Sequence, residues 1–375
     1  LLAGSTGTGK TTLVTEMLDA IVARGDRVIV CDPAGHHMTK FAKKSDRILN
    51  PLDRRAQCWS IFNEIRKDFD YDRLARSLIP NGHGSDKQWH SYAQVLCSEA
   101  MRALMLRGEG DTARLLHWLT VAKVDALAEL LAGTPAQGLL DKDAAKALAS
   151  TRFIVTTQLN PHKYLKHGDF SLRSWLETER GNLYLTWRED MQTALMPLVG
   201  SWVDILCNAV LSLPADPNRR IWLVLDELGA LGHLNSLESA LMRGRKHGLC
   251  VVGGLQSTAQ LDQIYGRDGG IVLRSCFRNL VALGIAKIDP DTSDLLSRAL
   301  GERVVDKMQF SRNHGANGIS TGESVQRAQE RIVMASQIAG LPNLHAYLAL
   351  AGDEPVRRIT ITPRDLPSVT QPFEE

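Results

Sequence analysis

Short apolar runs alternate along this chain with longer stretches whose apolar residues recur at three- and four-residue spacing. RVIVC at 27–31 predicts a strand, closed by Asp32 and Pro33. LNPLD at 49–53 predicts a short strand and turn. LYLTW (183–187), IWLVL (221–225), CVVGGL (250–255), LVALG (280–284) and AYLAL (346–350) predict further strands. RRITIT at 357–362 alternates apolar and polar residues and suits a sheet edge. Helical patterns over 11–24, 194–212, 234–247 and 291–300 lie between these runs. Alternating strands and helices cover both faces of a sheet, so the pattern predicts an α/β fold with a mainly parallel sheet.

That rhythm stops between about 64 and 178. Leu96, Ala100 and Leu104 repeat at four-residue spacing within 93–106, and 112–132 and 141–158 behave alike, parted by Gly133, Pro135 and Gly138. The expected organisation is an α/β domain made of 1–63 and 179–375, with an all-α domain, 64–178, inserted in it. Within the insert, 80–88 reads as a loop. QFSRNHGANGISTGE at 309–323, rich in Gly, Ser and Asn, is expected to be mobile.

Composition narrows the classes. The 375 residues are 44% hydrophobic and 23% charged, which excludes a disordered tail, a collagen-like fibre and a disulfide miniprotein. Lys+Arg 44 against Asp+Glu 42 leaves +2, so no global basic field advertises nucleic acid, and any such contact must be local. Lys40, Lys43, Lys44 and Arg47 form one candidate cluster, and Arg243, Arg245 and Lys246 another. The cysteines at 31, 58, 97, 207, 250 and 276 form no Cys-x-x-Cys, so reduced cysteines and no zinc site are expected. Residues 194–213 approach membrane-span length but carry Pro197, Asp204 and Asn208. Asp204 and Asn208 share a helical face, which favours a buried core helix.

One motif carries chemistry. GSTGTGKT at 4–11 matches G-x-x-x-x-G-K-[ST] at every fixed position. Gly4, Gly7 and Gly9 let the backbone amides of Ser5, Thr6, Thr8 and their neighbours turn inward around phosphates. Lys10 sets a cation against them, the Thr11 hydroxyl can ligate Mg2+, and Thr12 continues the first turn of a helix whose positive end faces the same anion. Almost no strand precedes Gly4, so the chain reads as a fragment whose N-terminal part, including any anchor, has been removed.

Such a loop requires a second acid at a strand tip. IWLVLDE supplies Asp226 for Mg2+ and Glu227 to polarise the attacking water. The long gap after Lys10 is filled by the helical insert. Gln256 stands at the carboxyl end of the 250–255 strand, the edge that faces ligands in α/β sheets, where it can sense a γ-phosphate. Arg245 ends the helix after Asp226. It reads either as a finger for a neighbouring subunit's nucleotide or as a partner of the helix dipole. There is no H-E-x-x-H, and His36–His37 reads as a loop pair without ligands. No guanine-reading motif is complete, so adenine is the base expected.

These residues resemble the P-loop ATPases of the coupling-protein family in conjugative plasmid transfer, the TrwB/TraD type. GSTGTGKT, CDPAGHHMTKF, LNPLDRRAQCWSIFNEI, KQWHSYAQVL, NLYLTWRED, LDELGAL, GRKHG, GLQSTAQLD and LRSCFRNLVALG carry the likeness in order along nearly the whole chain. The resemblance implies a RecA-like hexameric motor, with ATP and Mg2+ as cofactors. It implies an inner-membrane anchor N-terminal to this segment, an all-α domain facing the cytoplasm, and DNA passed with its relaxase to a type IV secretion channel. By position, Lys10 and Thr11 are then the P-loop pair, Asp226 and Glu227 the second motif, Gln256 the sensor and Arg245 the finger. One departure stands out: relatives often carry an acid after Gly35, where this chain has His36.

The motor reading implies mainly single-stranded DNA, bound through its backbone regardless of sequence. The helical insert would meet relaxase or accessory proteins, with Trp89 and Trp118 expected as buried aromatics. A nucleotide-gated docking platform with slow ATP turnover is the alternative, and Glu227 speaks against it. A small-molecule P-loop kinase is a third reading.

Overall fold

The structure, a computed structural model, describes residues 1–82, 84–315 and 318–375. β1 (Leu2–Ala3), α1 (Lys10–Ala23), β2 (Arg27–Pro33), α2 (Met38–Phe41) and β3 (Arg47–Leu49) open the chain. Helices follow: α3 (Phe69–Leu78), α4 (Lys87–Leu106), α5 (Thr112–Thr120), α6 (Val124–Leu130), α7 (Ala145–Leu159) and α8 (Leu172–Thr178). Then come β4 (Leu183–Trp187), α9 (Gln192–Ser212), β5 (Ile221–Leu225), α10 (Leu237–Arg243), β6 (Leu249–Leu255), α11 (Ala259–Ser275), β7 (Leu280–Leu283) and α12 (Pro290–Ala299). The last elements are β8 (Glu302–Gly315), β9 (Gly318–Arg331), α13 (Ala335–Ala339), β10 (His345–Ala349) and β11 (Arg357–Thr360).

The described residues form two compact units. One comprises 1–13, 255–260 and 277–363, the other 14–254, 261–276 and 364–375. In the larger unit the strands lie in the order β6-β5-β2-β4-β3, all parallel. Continuous apolar runs suit strands covered on both faces: Val28, Ile29, Val30 and every residue of β4 are buried. In the smaller unit the order is β11-β10-β7-β1. β1 runs parallel to β7, while β10 is antiparallel to both its neighbours, with β11 at the edge as its alternating pattern predicts. Ala3, Ala282, Ile285, Leu296, Leu300, Val333 and Ile338 form the core of that unit.

Helix α9 is the apolar stretch that approaches membrane length. The helical segment Glu189–Ser212 passes the test of length and hydropathy, yet 72% of its apolar window is buried inside the fold. Its polar residues have partners there. Asp204, 2% exposed, accepts from Ser77 Oγ (2.6 Å), Ser236 N (2.6 Å), Ser236 Oγ (3.0 Å) and Asn208 Nδ2 (3.3 Å). Burial pushes the Asp204 carboxyl above its usual range, and these hydrogen bonds oppose that shift.

Several expectations need correction. In the stretch 309–323 the described residues carry strand pairing that the composition did not announce: it runs from Glu302↔Arg331 to Gly315↔Gly318, and residues 316–317 lie outside the described residues. Ladder bonds come from the backbone, so a Gly- and Ser-rich segment pairs as well as an apolar one once its partner is in register. The strand near 49 is Arg47–Leu49, with the turn beginning at Asn50. Trp89 and Trp118 are partly exposed rather than buried. Helix α11 had no clear sequence signal, because Gly266 breaks it at φ 73°.

Asp204→Leu would strip four donors of their buried acceptor. We expect a loss of about 2–4 kcal/mol in urea unfolding, and a smaller loss for Asp204→Asn, which keeps one acceptor oxygen.

Candidate nucleotide-binding site

The sequence-predicted residues fall into two sets, one in each unit. In the smaller unit, β1 delivers the chain to Gly4, whose amide donates to Leu255 O (3.0 Å). Ser5 N donates to Gly284 O (2.9 Å), and Ser5 Oγ accepts from Ala286 N (2.8 Å). The loop is pinned from below and curls above. Thr8 Oγ1 donates to Ser5 O (2.7 Å), and Gly9 turns at φ 111°, where a Cβ would lie 2.9 Å from Leu344 Cδ2. Such a φ with no room for a side chain explains glycine there. A Cβ on Gly7 would meet nothing within 4 Å, so the cradle is open on that side.

Helix α1 starts at Lys10, with no acid in its first turn to neutralise its positive end. Lys10 Nζ is folded onto the cradle, donating to Gly4 O (2.5 Å) and Ser5 O (3.2 Å). Thr11 is exposed at the helix start and Thr12 is half-buried. The structure also brings Gln256 to this loop: Thr6 Oγ1 donates to Gln256 Oε1 (3.3 Å). The Gln256 backbone is braced in turn, its amide donating to Gln260 Oε1 (2.9 Å).

In the larger unit, Asp226 and Glu227 follow β5. The β2–β5 register pairs Cys31 with Leu225, so Asp32 and Asp226 leave neighbouring strands at the same carboxyl edge. A Cβ on Gly254 would lie 2.0 Å from Asp226 O, so this strand end has room only for glycine on β6. Asp32 is fully buried. Its carboxylate accepts from His37 N (2.9 Å) and Met38 N (2.7 Å), holding the turn before α2. Burial raises the Asp32 carboxyl above its usual range and the Asp226 charge adds to that, while His37 and the two amide bonds pull the other way.

Sequence reasoning missed Asp32 and His37. An acid ends the 27–31 strand and two histidines follow within five residues, but nothing in the sequence places that strand beside β5. His37 is buried, with Nε2 3.9 Å from Asp226 Oδ2. His36, at the position where an acid was expected, is exposed and lies 3.2 Å from Lys40 Nζ. Arg47, in the same basic cluster, is held by Glu179 (2.7 Å).

Arg245 is not brought to Asp226 within this chain. It lies in the short 3-10 segment after α10, and its carbonyl accepts from Gly248 N (3.1 Å). Gly248 O accepts in turn from Ile221 N (2.9 Å), at the start of β5. Asp226 lies beyond the other end of that strand, a length of about 17 Å at ordinary strand rise. Arg245 is exposed on an open concavity of about 860 Å³ that Arg220, Arg243 and Lys246 also line.

An amide cradle, a lysine and a helix start suit phosphates, and in the larger unit the carboxylates that follow β5 offer the hard oxygens a divalent cation takes. Fold and residues together define an α/β protein of the P-loop class. Residues 1–362 match the model of the type IV secretion-system coupling protein DNA-binding domain, and the chain belongs to that family.

Coupling protein TraD of Escherichia coli (strain K12) is 29% identical over 395 residues, an alignment covering 99% of this chain and 53% of that protein. The chain thus spans about half the length of that relative. Among solved structures, bacterial conjugative coupling protein TrwB in an unbound form is 43% identical with a TM-score of 0.94, covering 100% of this chain and 87% of that one. Plasmid coupling protein TrwB in complex with ADP and Mg2+ is 42% identical with a TM-score of 0.92, again covering 100% and 87%.

Gly254→Ala tests the close approach behind Asp226. The added methyl must displace the Asp226 backbone, and we expect a loss of about 1–3 kcal/mol in urea unfolding. Wild-type stability in that variant would mean that the strand end has slack.

Proposed function

We propose that the chain is the motor portion of a coupling protein, an ATPase that moves DNA toward a type IV secretion channel in bacterial conjugation. The observation that carries this reading is the phosphate cradle of residues 4–11, with Lys10 at a helix start and Gln256 on its Thr6, in a chain of the coupling-protein family. TrwB, similar to this chain over its whole length, has been solved with ADP and Mg2+ and with a non-hydrolysable ATP analogue. ATP and Mg2+ are accordingly the ligands proposed here.

In this reading the amides of Gly4 to Gly9 and the hydroxyls of Ser5, Thr6, Thr8 and Thr12 surround the phosphates, and Lys10 neutralises them. Thr11 and Asp226 supply oxygens to the magnesium ion, which when bound screens the phosphate charge. Glu227 takes the proton of the attacking water, and Gln256 orients toward the terminal phosphate. Arg245 serves the nucleotide of an adjacent subunit. Its position beyond the far end of β5 from Asp226 supports action between chains, in a ring such as a homo-hexamer.

Residues 1–63 and 179–375 act as the nucleotide-binding domain. Residues 64–178 act as an all-α domain that meets the relaxase and accessory proteins. The whole protein works at the cytoplasmic face of the inner membrane. DNA contact is directed to phosphates, prefers single strands and weakens steeply with salt.

ATPase rate measured with and without single-stranded DNA tests the motor reading. We expect clear stimulation, abolished in Lys10→Ala together with nucleotide binding. Glu227→Gln should keep ATP bound while turnover falls about 10²–10⁴-fold, the range for loss of a general base. A flat, slow rate unaffected by DNA would instead support a nucleotide-gated docking platform.

A further inference from the structure

His37 is a buried histidine that none of the motifs employs. Its side chain is closed off from solvent, and its ring lies against Thr15 of α1 and Asp226 after β5. Nδ1 lies 3.4 Å from Thr15 Oγ1 on α1. The His37 amide donates to Asp32 at the end of β2, which fixes where the turn places the ring. Nε2 lies 3.9 Å from Asp226 Oδ2 after β5, and no hydrogen-bond partner for that nitrogen is present among the described residues. The His36 ring packs edge-on at 5.1 Å.

A buried imidazole nitrogen without a partner is unfavourable, and it faces a carboxylate oxygen about 1 Å beyond hydrogen-bond length. When the Thr15 hydroxyl donates to Nδ1, the ring proton sits on Nε2, facing Asp226. The turn itself is sharply constrained. Ala34 and Gly35 adopt φ 57° and 68° in succession, which bends the chain back so that Asp32 meets the His37 and Met38 amides. A residue with a Cβ at such a φ is uncommon outside sites that require the bend.

We propose that His37 is a positioning residue for Asp226. Thr15 orients the imidazole, the imidazole holds Oδ2, and the carboxylate is thereby presented to the magnesium ion in one orientation. The inference rests on the nucleotide-site reading above and extends it to a group outside both motifs. Partners of this kind behind metal ligands typically change metal affinity about 10–100-fold when removed.

Binding of a fluorescent ATP analogue to the whole chain, titrated with Mg2+ and repeated in EDTA, tests the proposal. His37→Ala should raise the half-saturating Mg2+ concentration by about 10-fold or more, with the affinity in EDTA unchanged. His37→Gln, whose amide N–H replaces Nε2–H, should recover most of the wild-type Mg2+ requirement. In an Asp226→Ala background, His37→Ala should add nothing. An unchanged Mg2+ requirement in folded His37→Ala, an equal loss with and without Mg2+, or a full effect in the Asp226→Ala background would each overturn the role. If His37→Ala does not fold, His37→Asn replaces it, since its shorter amide matches only Nδ1. Asn must then lose the Mg2+ affinity that Gln keeps, and equal behaviour of the two overturns the proposal. A wild-type chain that binds no nucleotide in either condition overturns the nucleotide reading itself, and this inference with it.

Discussion

The parallel register of β2 against β5 is the constraint on which the acidic half of the site depends. Pairing Cys31 with Leu225 sends two acids, Asp32 and Asp226, out of the sheet side by side. The two then meet different fates. Asp32 is buried and spends its oxygens on the amides of the following turn. That makes it a structural acid, held by main-chain donors. Asp226 keeps partial exposure and faces His37. A one-residue slip between these strands would exchange the faces of every side chain along them and bury the wrong acid.

The cradle in the smaller unit follows a different logic. Its shape comes from backbone hydrogen bonds to Leu255 and Gly284, from the bond of the Ala286 amide to Ser5 Oγ and from the Thr8 hydroxyl, so the loop's own bonds hold its curl. Lys10 meanwhile bonds its own loop's carbonyls. Those bonds are ones a phosphate oxygen can replace, since an ammonium satisfied by neutral carbonyls gains more from a charged acceptor. Preorganisation of this kind lowers the ordering cost of binding.

Much of this was legible from residue order. The strand signals at 27–31, 183–187, 221–225 and 250–255 coincide with β2, β4, β5 and β6 to within two residues. They do so because strands covered on both faces are apolar throughout. The antiparallel hairpin of β8 and β9 was not legible. Its exposed strands bury too little for apolar patterning to mark them: Val304, Met308, Phe310 and Val325 are all well exposed. His37 was equally hidden, because nothing in HHM distinguishes a solvated loop histidine from one enclosed between α1, β2 and the tip of β5.

The sequence by itself determined the phosphate loop, the acid pair after β5 and the α/β class, because each is set by local spacing: glycine positions, a lysine at a helix start, an apolar run ending in carboxylates. Only the tertiary structure decided which strands are neighbours. That choice put Asp32 beside Asp226, turned His37 onto Asp226, and left Arg245 beyond the far end of the strand that carries that acid. Strand order and register depend on how distant faces pack and on where buried polar groups find partners, and neither is encoded at any single position.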